Sequence, residues 1–235
     1  MMLRGKKKSS RNSGIELLRI VAMLMIVAHH FAIHTIWPNS GYGFVFNEYW
    51  KDILASFGKV GVGIFFIITG YFFARKSDFN IKKIFNIIRP VWFYSWLFLI
   101  LAISCRIFTV KFSYPLQKEL VESVAPIIGN AYWFVTSYVI VLLLSPYLKK
   151  MFDSLGDKEL LSVVFVLAIA GFGTGFFLFI STSIYEPAMT VPCGIFYALI
   201  GYTIKRYEDK ISGAWSVVCA LVSTFILFLT PIVFY

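Results

Sequence analysis

The chain has 235 residues, of which 59% are hydrophobic and only 14% charged, with a mean hydropathy of +0.77. Soluble domains hold roughly 45–50% apolar and about 25% charged residues, so a soluble core cannot absorb this excess. The formal charge of +10 comes from 22 Lys and Arg against 12 Asp and Glu, yet the cations fall in short segments between apolar runs, where membrane orientation and anionic headgroups account for them and nucleic acid is excluded as a partner.

Apolar runs near the roughly 20-residue spanning length recur at 15–36, 53–73, 91–108, 132–148, 160–180, 187–204 and 215–235. The predicted fold is therefore all-α, a polytopic membrane helix bundle of about seven transmembrane helices. Residues 1–14 form a basic N-terminus, and the run that follows is too long for a signal peptide's apolar region and lacks a small-residue cleavage site, so it reads as a retained first span. If that terminus is cytoplasmic, the inner side receives Arg4, Lys6, Lys7, Lys8, Arg11, Arg75, Lys76, Lys82, Lys83, Arg89, Lys149, Lys150, Lys158, Lys205, Arg206 and Lys210, sixteen of the 22 basic residues. The outer side keeps Lys51, Lys59, Arg106, Lys111 and Lys118, and the positive-inside rule selects the N-in orientation. Cys105, Cys193 and Cys219 lie in apolar runs without paired spacing, which supports neither a disulfide framework nor a zinc site and leaves no metal in the prediction.

The first span carries Glu16, Arg19, His29, His30 and His34, ionisable groups that cost free energy in lipid and call for a reason. At about 100° per residue, His30 lies about 20° off the face of Arg19 and ~16 Å deeper, whereas His29 is about 80° away. Glu16 precedes Arg19 by one helical turn, so the two can pair near the inner interface and orient the guanidinium. His34 points loosely with His30. Against a guanidinium that merely snorkels to lipid phosphate and an imidazole that only bonds a neighbouring helix, the shared face favours a working pair. A neutral imidazole inside a bundle can take the proton from a hydroxyl as it attacks a thioester or other activated carbonyl, the requirement of acyl transfer to an alcohol.

Trp37 to Gly43 reads as an outer loop with interfacial aromatics, and residues 74–89 as a cation-rich cytoplasmic loop. The second span, from Gly58 through Gly61, Gly63 and Thr69-Gly70-Tyr71, has glycines that would let a neighbouring backbone or a thin ligand chain approach closely. Pro90 suits the first turn of the third span. Lys83 and Arg89 stand at the inner boundary, where orientation explains them and where they could also grip a polyanionic cofactor. Gln117–Ile128, within the outer loop 109–131, could form an amphipathic interfacial helix. The chain stops inside an apolar run at Thr230–Tyr235.

These residues carry a resemblance. Glu16-Leu17-Leu18-Arg19, followed by ten residues and His30, is similar to the first-helix signature of the acyltransferase 3 family of membrane acyltransferases. Gly61 to Tyr71 resembles its second-helix motif, with Thr69 where Ser is commoner. Arg89-Pro90 resembles the end of its Arg-rich stretch, with Asn86 where a second Arg is frequent, and Tyr132-Trp133-Phe134 through Ser145-Pro146-Tyr147-Leu148 resembles its aromatic-to-proline helix. The resemblance covers residues 14–148, the remainder matching in hydrophobicity and helix order alone.

The resemblance implies an O-acyltransferase, an O-acetyltransferase in the leading case, in a bacterial plasma membrane. Acetyl-CoA or another acyl-CoA would be co-substrate from the cytoplasm, and a glycan or lipid-linked sugar would be acceptor. His30 and Glu16 become the catalytic candidates, and Arg19, Arg89 and Lys83 the cofactor-binding ones. Family members commonly have about ten spans, so the chain is expected to be incomplete at its C-terminus, with residues 15–235 forming the acyltransferase-like part. Two rivals are a transporter or flippase using Glu16, Arg19 and His30 as an ion pathway, for which no inverted repeat is visible, and a non-catalytic subunit or receptor, whose N-out topology the basic residues oppose.

Overall fold

The computed structural model describes residues 12–37, 46–75, 81–108, 116–127, 132–169 and 191–233. Eight α-helices and one 3₁₀ turn account for nearly all of them, and no strand occurs among the described residues. The α-helices are α1 (Ser13–His34), α2 (Phe46–Arg75), α3 (Ile81–Phe108), α4 (Leu116–Val124), α5 (Trp133–Ser154), α6 (Asp157–Ala168), α7 (Val191–Arg206) and α8 (Gly213–Val233), with the 3₁₀ turn at Glu208–Lys210 before the last. The protein is a polytopic helical membrane protein.

Among the described residues, α1, α2, α5 and the stretch Ile81–Cys105 of α3 are long and apolar enough to cross a bilayer. The three remaining expected spans each coincide with a helix, α6, α7 and α8, but run into residues 170–190 and 234–235, which lie outside the described set. The outer surface supports the same environment: large side chains such as Leu17, Leu24 and Phe31 on α1, Trp92, Phe93 and Phe98 on α3, and Trp215 and Leu221 on α8 are exposed, a pattern that suits hydrocarbon as the surrounding solvent. Hydroxyls on these helices bond within their own ladders, Ser95 Oγ to the Val91 carbonyl at 2.8 Å, Ser104 to Ile100 at 2.8 Å and Thr224 to Ala220 at 2.8 Å. A hydroxyl so bonded needs no water.

Two expectations are corrected. Residues 81–89 belong to α3 and not to a cytoplasmic loop, and Pro90 consequently sits inside the helix, not in its first turn. The Lys and Arg stems are good helix formers, so the chain winds before it reaches the apolar segment. The amphipathic helix expected at 117–128 is present as α4, ending at Val124. Of the outer loop expected at 37–43, only Trp37 is described; its Nε1 donates to the Ala32 carbonyl at 2.9 Å and closes the end of α1.

The chain forms two compact units, one of residues 1–68 with 207–235 and one of residues 69–206. In the first, α1 packs along α2, and the N-terminal end of α2 holds α8 through Tyr49 Oη, which donates to the Phe228 carbonyl at 3.0 Å, and through Trp50 against the Phe228 ring. In the second, α3 contacts α4 and α5, and α7 packs on α5 and α6. Its core gathers Phe73, Phe152 and Tyr202, with ring centroids 5.3–6.3 Å apart, beside Leu148, Leu160 and Leu199. Of the four long apolar helices α2 is the most buried, half of its most apolar stretch being covered against 11% for α1 and α3.

Gly70 shows why. A Cβ there would run into the carbonyl and Cα of Ala198, so α2 and α7 meet backbone to backbone. Gly70→Ala should therefore destabilise the protein by about 1–3 kcal/mol through overpacking, read as a lowered midpoint in thermal unfolding of the detergent-solubilised chain. Gly213→Ala, where no atom lies within 4 Å, should stay within about 0.5 kcal/mol of wild type.

Candidate active site

Asn12 caps α1, its Oδ1 accepting from the Gly14 amide at 3.0 Å, and sets the register of the polar residues that follow. One turn on, Arg19 Nη1 donates to Glu16 Oε1 at 3.0 Å, the local ion pair that the i,i+3 spacing predicts. Both side chains are partly exposed, at 39% and 47%, so the pair's effect is to aim the guanidinium more than to stabilise the helix.

The three histidines divide. His29 Nδ1 lies 2.5 Å from the Ala55 carbonyl of α2, a hydrogen bond in which the ring nitrogen must be the donor. The ring occupies the notch left by Gly58, where a Cβ would overlap it. Below it, Gly61 admits Ile26 and the Ala22 carbonyl, which would stand 2.9 and 2.7 Å from a Cβ. Ala22, Ile26 and His29 form the stripe by which α1 seats on α2. The glycines of the second-span motif thus serve helix approach at these positions.

His30 is turned off that stripe. It and His34 are exposed along α1, their rings stacked with centroids 5.8 Å apart and planes 5° from parallel, while His29 meets His30 edge to face at 5.3 Å. The structure brings Glu16 to Arg19 and His34 to His30. It keeps His30 about 16 Å along the helix axis from Arg19, as eleven residues of α-helix require. Among the described residues, no group of three His, Cys, Asp or Glu could hold a metal ion.

Arg89 and Lys83 are both exposed on α3, in the second unit. With the helix continuous from Ile81, Arg89 shares a face with Lys82, seven residues before it and about 20° away, while Lys83 stands about 120° round the helix. In the same unit the motif Thr69-Gly70-Tyr71 acquires partners that spacing along the sequence could not disclose. Thr69 Oγ1 donates to Tyr138 Oη at 3.0 Å, Gly70 faces Ala198, and the Tyr71 ring lies 5.3 Å beneath the Lys205 ammonium.

A model of the acyltransferase 3 family, described as an acyltransferase domain, matches residues 12–235. The chain belongs to that family, and the match extends well past the residues 14–148 whose motifs carry the resemblance. No curated protein and no solved structure matches the chain.

His29 is the residue that motif reasoning overlooked, its signal being the Gly58 notch on another helix. Gly58→Ala should expel the imidazole and break its bond to Ala55, lowering stability by about 1–3 kcal/mol. If the collision is the cause, Gly58→Ala should cost much less in a His29→Ala background than alone, a difference measured by a double-mutant cycle of thermal unfolding.

Proposed function

From membership of the acyltransferase 3 family, we propose that the protein is a membrane O-acyltransferase. It moves an acyl group, acetyl in the leading case, from cytoplasmic acyl-CoA to a hydroxyl of a surface or exported glycan or a lipid-linked sugar, in the plasma membrane of a bacterium. The observation that carries the reading is the family match over residues 12–235 taken with one helix that bears the Glu16–Arg19 pair and, on the same face, His30.

In this reading the His30 imidazole takes the proton of the acceptor hydroxyl as its oxygen attacks the thioester carbonyl. The carbon–sulfur bond then breaks, the ester forms, and the imidazolium returns its proton to the departing thiolate. Arg19, aimed by Glu16, positions the acyl-CoA, and Arg89 and Lys83 attract its phosphates, for which a guanidinium fork and an ammonium are suited. The N-in orientation supports this division, because it gives the cation-rich side to the cytoplasmic polyanion and the deeper imidazole to an acceptor arriving from outside.

The test is transfer of labelled acetyl from acetyl-CoA to extracted surface glycans by membranes carrying the chain. His30→Ala should lower transfer by at least about 100-fold, the smaller end of a general base's contribution, with insertion unchanged by blotting. Arg19→Ala should chiefly raise the KM for acyl-CoA. Full transfer by His30→Ala would remove the imidazole from the mechanism.

A further inference from the structure

Where α2, α5 and α7 end, within the second unit, a cavity of about 440 Å³ is lined by Ala74, Asp153, Tyr202, Lys205 and Arg206. Its polar groups are held in place. Asp153 accepts from Lys149 Nζ at 2.7 and 3.0 Å and from Tyr202 Oη at 2.5 Å. Arg206 pairs with Asp157 at 2.9 Å and donates to the Leu155 and Phe152 carbonyls at 2.9 and 3.4 Å, while Lys205 lies over the Tyr71 ring.

Three cations, Lys149, Lys205 and Arg206, stand with two carboxylates, Asp153 and Asp157, and the exposed Lys150, Lys158 and Glu159 flank the same turn. Cations at helix C-termini are favoured by the backbone dipole alone. The dipole does not account for an open cavity that two of them line, nor for a carboxylate whose charge Lys149 and Tyr202 already offset. The lining itself carries two cations, Lys205 and Arg206, against one carboxylate, Asp153, and the contacts above fix their positions, a setting in which a guanidinium and an ammonium can meet a phosphate group.

We propose that this cavity is a phosphate site and that its occupant is the nucleotide end of acyl-CoA, the latter resting on the acyl-CoA reading above. Under the N-in orientation these three helix ends face the cytoplasm, where the co-substrate arrives. Anionic lipid headgroups carry the same chemistry and are the other source to be distinguished.

The experiment uses the full chain in nanodiscs of phosphatidylcholine, with CoA and phosphate-free pantetheine as calorimetric probes and Lys205→Gln and Lys205→Arg as variants. CoA should bind more tightly than pantetheine. Lys205→Gln should weaken CoA about tenfold or more, as loss of a charge-assisted contact requires, leave pantetheine unchanged and be rescued by Lys205→Arg. Unaltered CoA binding by Lys205→Gln would overturn the site while leaving the acyl-CoA reading intact. If wild type binds no CoA, the acyl-CoA reading fails and the occupant with it. Lys205-dependent thermal stabilisation by phosphatidylglycerol nanodiscs would then uphold the phosphate site with a headgroup as ligand, and its absence would end the proposal.

Discussion

Everything in this protein depends on how closely α2 lets its neighbours approach. In lipid the hydrophobic effect does not press helices together, because hydrocarbon tails are as apolar as leucine, and association falls to van der Waals contact and hydrogen bonds between surfaces that fit. Gly58, Gly61 and Gly70 supply that fit. The first receives an imidazole, the second a backbone carbonyl, and the third the Ala198 peptide. Each takes away a side chain so that heavier atoms of another helix can come into contact, which explains why α2 is covered while α1 and α3 remain largely exposed.

The adjacent imidazoles of α1 show the same economy. His29 spends a ring nitrogen on the Ala55 carbonyl and so becomes a strut between helices, which fixes the rotation of α1 about its own axis. That rotation presents His30, stacked on His34 and turned away from the contact. Two residues of identical chemistry are separated by about 100° of helix into one that holds and one that is offered. The Glu16–Arg19 pair is set by the one-turn spacing within α1.

How much was legible in the sequence follows from the range of each interaction. Glu16 with Arg19, and His30 with His34, are one-turn relations, readable from spacing alone. The all-helical class, four of the spans and α4 were equally readable from apolar length and amphipathic pattern. His29 against Gly58, Tyr202 against Asp153, and Lys205 above Tyr71 join residues 29 to 134 positions apart. A single sequence carries no register between such helices, only the permissive signs, a glycine or an aromatic, without their partners. The start of α3 departs from the expected loop for a different reason: a run of charge does not end a helix, and long basic side chains end only its burial.

The prolines bear out that distinction and locate an edge of the bilayer. Pro146 deprives the Leu142 carbonyl of its amide donor, and Ser145 Oγ lends a replacement at 2.7 Å, so α5 can carry its proline through hydrocarbon. Pro90 deprives the Asn86 carbonyl in the same way, but the residue before it is Arg89, whose long side chain has no hydroxyl to turn back on the ladder. That carbonyl calls for water or a headgroup. The whole of α3, Ile81–Phe108, is 28 residues, roughly 42 Å of helix, against about 30 Å of hydrocarbon. Its first turns therefore stand in the aqueous boundary as a rigid post, with the dry part of the span beginning near Pro90, and the cations on that post are carried clear of the lipid at a height set by helix geometry instead of by a loop.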